Sequence, residues 1–511
     1  MNSSGHVPAR DFLARHGWLI AIAAAYLYVF PYFPKIRSAN ELPRVYLTQA
    51  MAHEHRFAID TGVKRWGATA DVSPSGGHHY SNKAPGSSML ALPAYAAVAA
   101  ASGPPSLPVA MWICRVAAGI LPTLGFLWLL WGFLARFAPD PAIRRLVLVA
   151  YALGSMAMTY SVLFYSHQLG AVCIASAWIL ALDAAEGRRG RAAMVGAGVL
   201  AGAAPLADYQ AVFAAVPVAL HVGVVSWRRG AGRELARASG LAIAGAALPI
   251  AILLAYHAIC FGGPFRTGYD ASTTFAHFHQ QGFLGITELR AEAFWGSLVR
   301  PDNGLFFLAP WLVLAIPGTF ALARSGARGG AAVGVGVLVI YVLFVSSINF
   351  WRGGWGVGPR YITALLPFLL PAIAAQLQRW QARPLVLGAA ASSIVVGVAI
   401  YTLANLTFPY WPDSLTNPLA EVTYRMLGDG LVAPNAGRAL GIEGVLGAAP
   451  YLALVAALLG IALVRAARWR GMALAVALGA VWLVAYAQLP RSTPETSERV
   501  YRFVRAAAHE S

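Results

Sequence analysis

Just beyond the first apolar stretch, the segment SANELPRVYLTQAMAHEHRFAID sets Glu41, Arg44 and Tyr46 close together. A carboxylate there would sit just above a bilayer, beside anything arriving headgroup-first. It could act as a general base; it reads equally as a solvated acid paired with Arg44 one helical turn on. Asp60 is a second acid in the same segment. The loop closes on GGHHYSNKAPGSSMLALP, where Lys83 precedes an apolar run and Pro85 and Gly86 shape the entry. A lysine at such a mouth suits a phosphate, or snorkels to water as an ordinary anchor. His78 and His79 are metal candidates, but adjacent histidines point in different directions and no third ligand is evident.

Other charges carry two readings each. Arg352 and Arg360 bracket GGWGVGP, and Trp351 and Trp355 beside them suit an interfacial aromatic belt. Arg115 lies about two turns inside an apolar run, where charges are functional or paired. Asp208 stands between two apolar runs, as a helix cap or a cavity-lining acid. His167 opens a helix in a polar interfacial place, and His277 and His279 read as solvated. Cys114, Cys173 and Cys260 lie in or beside apolar runs and read as small core residues.

The elements that must position these residues are membrane helices. Of 511 residues, 58% are hydrophobic and only 12% charged, whereas a soluble domain is about one quarter charged. Mean hydropathy is +0.60. The apolar runs are long enough to cross about 30 Å of hydrocarbon, and nothing alternates as a barrel would. The reading is an all-α polytopic protein, with runs near 17–34, 86–102, 108–135, 143–162, 165–184, 191–205, 209–227, 237–260, 304–323, 331–348, 361–378, 384–406, 446–466 and 470–489. Short basic connectors recur at Arg136/Arg144/Arg145, Arg188/Arg189/Arg191, Arg228/Arg229/Arg233/Arg237, Arg324/Arg328, Arg379/Arg383 and Arg465/Arg468/Arg470. The positive-inside rule places all of them, with Arg10 and Arg15, in the cytoplasm. Parity then requires one run not to span. The short, Ala-rich run 86–102, interrupted by Pro93, reads as interfacial or re-entrant, leaving about 13 spans.

This topology puts the N-terminus in the cytoplasm of a plasma (inner) membrane protein. The long loops 35–107, 261–303, 349–360 and 407–445 fall on the extracytoplasmic side, and long ordered loops over a rigid bundle usually bind or react. Arg352 and Arg360 then run against the positive-inside bias, which favours an anionic ligand. Residues 1–489 form one transmembrane unit and 490–511 a short extracytoplasmic tail. The first run has no small-residue cleavage site after it and reads as a retained helix. The net charge of +17 fits loop anchors touching anionic lipid and, with no basic stripe or reader motif, excludes nucleic-acid binding.

The order of these features resembles the GT-C membrane glycosyltransferases, most closely the branch of the protein O-mannosyltransferases and the lipid A aminoarabinose transferase. Asn40-Glu41 with Arg44 and Tyr46 stands where that family has an acidic pair leading into an Arg-Tyr stretch. Lys83-Ala84-Pro85-Gly86 resembles its Lys-Pro-Pro-like segment, and FWRGGWGVGPRYITALLPFLLP its tryptophan-glycine and Gly-Pro-Arg-Tyr segment. Tyr165-Ser166-His167 and Ala207-Asp208-Tyr209 are similar too. The resemblance implies an inverting glycosyltransferase with a sugar donor on a polyprenyl phosphate. The acceptor would be a glycolipid, polysaccharide or protein approaching from outside the cell. Glu41, or Asp60, would deprotonate the acceptor hydroxyl, and Lys83, Arg360 and Arg352 would meet the departing phosphate charge. Contacts to substrate or lipid phosphate would also come from Arg44, Tyr46, Tyr80, His167, Asp208 and Tyr361. Two departures stand out: Asn40 replaces the first acid of the pair, and Asn82 replaces an acid found before the lysine in some members. A divalent cation, Mg or Mn, is left open.

Three rival functions predict other patterns. A transporter or flippase would carry mid-span charges and internal repeats, and no repeat is evident. A polymerase or ligase of lipid-linked glycans would have its large loop late in the chain. A scaffold gives no reason for outer arginines beside an acid and a lysine loop.

Overall fold

The computed structural model describes residues 9–509. The side chains of Arg10 and Arg15, which help to place the N-terminus, lie outside the described residues. Almost every element is a helix, and their apolar faces meet in one large core that draws on most of them. Among the described residues, seven helices are long and apolar enough to cross a membrane, or eight when one bent pair counts as a span. Shorter apolar helices run over His16–Tyr28, Gly86–Ser102, Arg191–Ala207 and Pro310–Arg324. The expected thirteen crossings follow only if shorter helices cross as well and two long helices each cross twice.

Those two helices fold back where the sequence is basic. Ala215–Phe261 breaks at Gly230 and Ala231, and Gly444–Ala487 breaks at Arg468, whose φ is 59°. Each break sits at a basic connector that the sequence marks as a turn between spans. The run 143–162 departs from a straight span. It divides into Pro141–Leu153 and Met156–Val162, bent by 55°, because Ser155 caps the second helix through a 3.2 Å bond from the Ala157 amide. A π-turn over Val116–Ile120 interrupts the preceding run immediately after Arg115.

The first long loop holds the expected helices, Leu42–Glu54 and Gly86–Ser102. Between them it also holds a two-stranded antiparallel hairpin, Val72–Ser75 with His78–Ser81. Gly76 and Gly77, at φ 54° and 82°, close it in a two-residue turn that needs positive φ twice. The hairpin delivers Lys83 to the entry of Gly86–Ser102.

Two helices define the bundle's axis. His167–Ala185 and the stretch Arg360–Arg379 both start among the candidate site residues of the loops. Both end among arginine connectors, where Arg136, Arg188, Arg228, Arg328 and Arg379 surround a single cavity. At about 1.5 Å per residue, 19 residues separate the two ends by about 28 Å. These are the loop end and the arginine end of the molecule.

Candidate active site

At the loop end, backbone approaches bring distant segments together. A Cβ on Gly86 would lie 2.6 Å from the Leu206 carbonyl oxygen. Only glycine therefore lets the start of its helix press against the end of Arg191–Ala207, where Asp208 follows. Lys83 and Asp208 thereby line the same small chamber, together with Arg44, Ser166, His167 and Arg360.

The chamber is strongly cationic and almost closed off from the surface. Arg44, Lys83, His167 and Arg360 are all under a tenth exposed. Arg44 donates to the Asn40 side chain and, at 2.6 Å, to Ser166 Oγ. Arg360 is clamped by the carbonyls of Gly353 and Trp355 and lies over the Tyr165 and Tyr361 rings. His167 Nδ1 stands 2.8 Å from Asp208 Oδ2. The Nε atoms of Arg44 and Arg360 and the Nε2 of His167 are buried with no hydrogen-bond partner. Orphaned buried groups of this kind are costly, and an anion in the chamber would satisfy the two guanidinium donors.

Beside the chamber opens a larger cavity of about 490 Å³, lined by Asn40, Asp71, Lys83, Tyr165, Tyr269, His279, Arg360, Tyr361, Tyr410 and Asp413, with Phe503 among them. Lys83 Nζ lies 3.0 Å from Asp71 Oδ2, and Asn82 Nδ2 donates to Asp71 Oδ1 at 3.1 Å. Lys83 also stands 5.3 Å from the centre of the Tyr269 ring. Burial pulls its pKa down to about 8, against the opposing pull of Asp71. His279 is held down to about 4, by burial first and then by the Lys83 charge.

Glu41 does not line the cavity. It is fully buried, and Arg115 holds it through two bonds of 2.9 and 3.1 Å. Tyr410 donates to it at 2.7 Å and the Phe164 amide at 2.6 Å. Its lone pairs are spoken for, and its side chain does not reach the cavity where a substrate would be expected. Tyr410, which donates to Glu41, also lines the cavity. Asp60 is also elsewhere, on the exposed hairpin side, where it takes the Nδ1 atoms of His78 and His79 at 2.8 and 2.9 Å and the His79 amide at 2.9 Å. Burial works upward on Asp60, but these hydrogen bonds outweigh it and hold its carboxyl below the usual range.

The remaining candidates divide the same way. Tyr361 lines both spaces. Tyr46 stacks on Trp66 and donates to the Gly67 carbonyl, while Tyr80 packs edge-on to Phe261. Arg352 pairs with Asp302 at 3.3 Å and donates to the Asp413 carbonyl, bracing the wall from behind. Among the described residues no group of three or more His, Cys, Asp or Glu side chains is placed to hold a metal ion. The residues present therefore do not fit the metal that His78 and His79 raised. Sequence reading missed Asp71, Tyr269, Tyr410 and Phe503. The alternation DVSPSGGHHYS around a Gly-Gly pair could have revealed the hairpin, and with it Asp71; nothing local marks Tyr410.

No family model and no curated sequence matches the chain. Solved structures do. ArnT from Cupriavidus metallidurans bound to undecaprenyl phosphate superposes with a TM-score of 0.50 at 14% identity, over 94% of this chain and 76% of that one. Its apo state gives 0.48, also at 14% identity, over 94% and 75%. The archaeal oligosaccharyltransferase AglB from Archaeoglobus fulgidus, in complex with an inhibitory peptide and a dolichol-phosphate, gives 0.39 at 11% identity, over 95% and 60%. The first of these carries the fold: the chain has the GT-C-like architecture that its loop motifs resemble, in a multi-pass membrane protein.

Proposed function

We propose that the chain is an inverting glycosyltransferase that takes its sugar from a polyprenyl-phosphate donor at the extracytoplasmic face. One observation carries the reading. Three buried cations, Arg44, Lys83 and Arg360, surround a chamber in which both arginine Nε donors lack acceptors. A phosphate is the anion whose oxygens match that set. The shared fold of a structure bound to undecaprenyl phosphate supports a lipid-linked one.

The chemistry follows from the adjoining cavity. The lipid phosphate sits where the cavity meets the chamber, against Lys83, Arg360 and Tyr361, which line both, and its sugar and the acceptor hydroxyl meet in the cavity. Phosphate binding draws Lys83 away from Asp71, which frees that carboxylate to take the hydroxyl proton. The acceptor oxygen attacks the anomeric carbon as the bond from that carbon to the phosphate oxygen breaks, with inversion. Lys83, Arg360 and Arg44 meet the charge that grows on the departing phosphate. Asp71 thus takes the base role first assigned to Glu41, and Glu41 with Arg115 and Tyr410 holds the wall. The acceptor is a glycolipid, polysaccharide or protein, and the sugar, hexose or pentose, is set by the cavity shape.

The test uses the purified protein in nanodiscs of neutral lipid, with polyprenyl phosphate and polyprenol as paired ligands, followed by a panel of polyprenyl-phosphate sugars. Tighter binding of the phosphate by tenfold or more is expected, as is release of polyprenyl phosphate with an inverted product. Equal binding of polyprenol would overturn the reading.

A further inference from the structure

The arginine end holds a second concave site, far from the chemistry. Its cavity measures about 1040 Å³ and is floored by Trp178, His221 and apolar helix faces. Arg136 and Arg188 are ion-paired there, each within 3.2 Å of Glu186. Arg228, Arg328 and Arg379 also line the cavity, and none forms an ion pair among the described residues. They come from three different connectors, so their convergence is a product of the fold and not of one basic run.

Two further features point at the same space. Helix Arg328–Ser347 begins at the cavity, and Ala327 offers its first turn no side-chain cap. Its free amides and dipole therefore favour an anion there. A Cβ on Gly329 would overlap His221 Nε2, so the ring seats directly against that helix start. Trp178 Nε1 donates to His221 Nδ1 at 3.2 Å. The neutral ring must then carry its proton on Nε2, on the side of the helix start.

We propose that this cavity binds a phosphate-bearing anion, the headgroup of an anionic phospholipid in the leaflet at the arginine end. Ordinary loop anchors would need neither a concave site nor an uncapped helix start. Arginine forks match phosphate oxygens in pairs, and basic pockets between membrane helices suit such headgroups. The apolar floor would run alongside the first part of an acyl chain. This site is independent of the chemistry at the loop end.

The protein is reconstituted in phosphatidylcholine nanodiscs doped with phosphatidylglycerol, and retained lipid is counted by native mass spectrometry after delipidation. One anionic lipid per chain is expected. Retention should fall tenfold or more in the triple variant R228Q/R328Q/R379Q and hold in R465Q/R468Q/R470Q, which removes equal charge from another connector. A second arm titrates inorganic pyrophosphate into protein in pure phosphatidylcholine. Pyrophosphate binding that only the first triple variant abolishes, without lipid selectivity, keeps the site and makes its ligand a soluble phosphate. Equal loss in both triple variants, or no loss in the first, overturns the proposal.

Discussion

Lys83 Nζ stands 3.0 Å from Asp71 Oδ2, and both side chains are less than a tenth exposed. Lys83 lines both the buried chamber and the open cavity, and Asp71 lines the cavity. Burial lowers Lys83 to about 8, so its charge is within reach of ordinary titration. If the protonated form holds the proposed phosphate, binding should be strongest well below pH 8 and weaken as pH rises past it. A polyprenyl-phosphate affinity profile from about pH 6.5 to 9.5 should show that limb. Lys83→Arg, whose guanidinium stays charged, should flatten it.

Asp71→Asn separates the two roles of this pair. Removing a general base typically costs about 10²- to 10⁴-fold, and the loss should fall on kcat. Binding of polyprenyl phosphate near pH 6.5 should survive. Its pH limb should move lower, because Asp71 is the main influence raising Lys83 against burial. A loss confined to KM would remove Asp71 from the base role.

Glu41→Gln should behave as a structural lesion. The change leaves buried Arg115 without its counter-charge, and breaking one side of such a pair costs about 3–5 kcal/mol. Thermal unfolding in detergent should show a fall in Tm. The double variant Glu41→Leu/Arg115→Met should recover much of it, since neither charge is then stranded. Normal stability with collapsed turnover in Glu41→Gln would return the base role to Glu41.

Arg360→Lys tests the geometry of the chamber. Arg360 reaches the Gly353 and Trp355 carbonyls while its Nε stays without a partner. A lysine keeps the charge but cannot present a fork and an extra donor together. Affinity for polyprenyl phosphate should drop about 10- to 100-fold, the loss of one or two charge-assisted bonds, by calorimetry or lipid displacement. Retained affinity would mean that charge alone holds the phosphate.

The helical bundle and its basic connectors were legible because apolar run length and arginine placement are local signals. Lys83, Arg44, Arg360, Tyr361, His167 and Asp208 were legible by type and order, and the fold brings them to one chamber. The pairing of Glu41 with Arg115 was not legible, because Arg115 lies on another helix and no spacing rule connects the two. Each is conspicuous by itself, the acid as a base and the arginine as a buried charge needing a partner. Asp71 was missed because its importance arises only when the hairpin sets it against Lys83. Tertiary pairing of charges was the information that no window of sequence contains.

The tail offers the last test. Residues 490–511 read as too short for a domain, and most of them form helix Pro494–His509. Glu498 pairs with Arg425 at 2.8 Å, and Tyr501 donates to Asp429 at 2.8 Å. These contacts lay Phe503 at the cavity, its ring centre 5.9 Å from that of Trp355. Phe503 remains 48% exposed, so it covers the cavity without filling a core. Phe503→Ala should leave Tm nearly unchanged, because little surface is uncovered. It should raise the acceptor KM severalfold while donor binding holds, since the phosphate chamber is lined by other residues. Kinetics with donor and acceptor varied separately would show this, and an unchanged acceptor KM would reduce the helix to a surface brace.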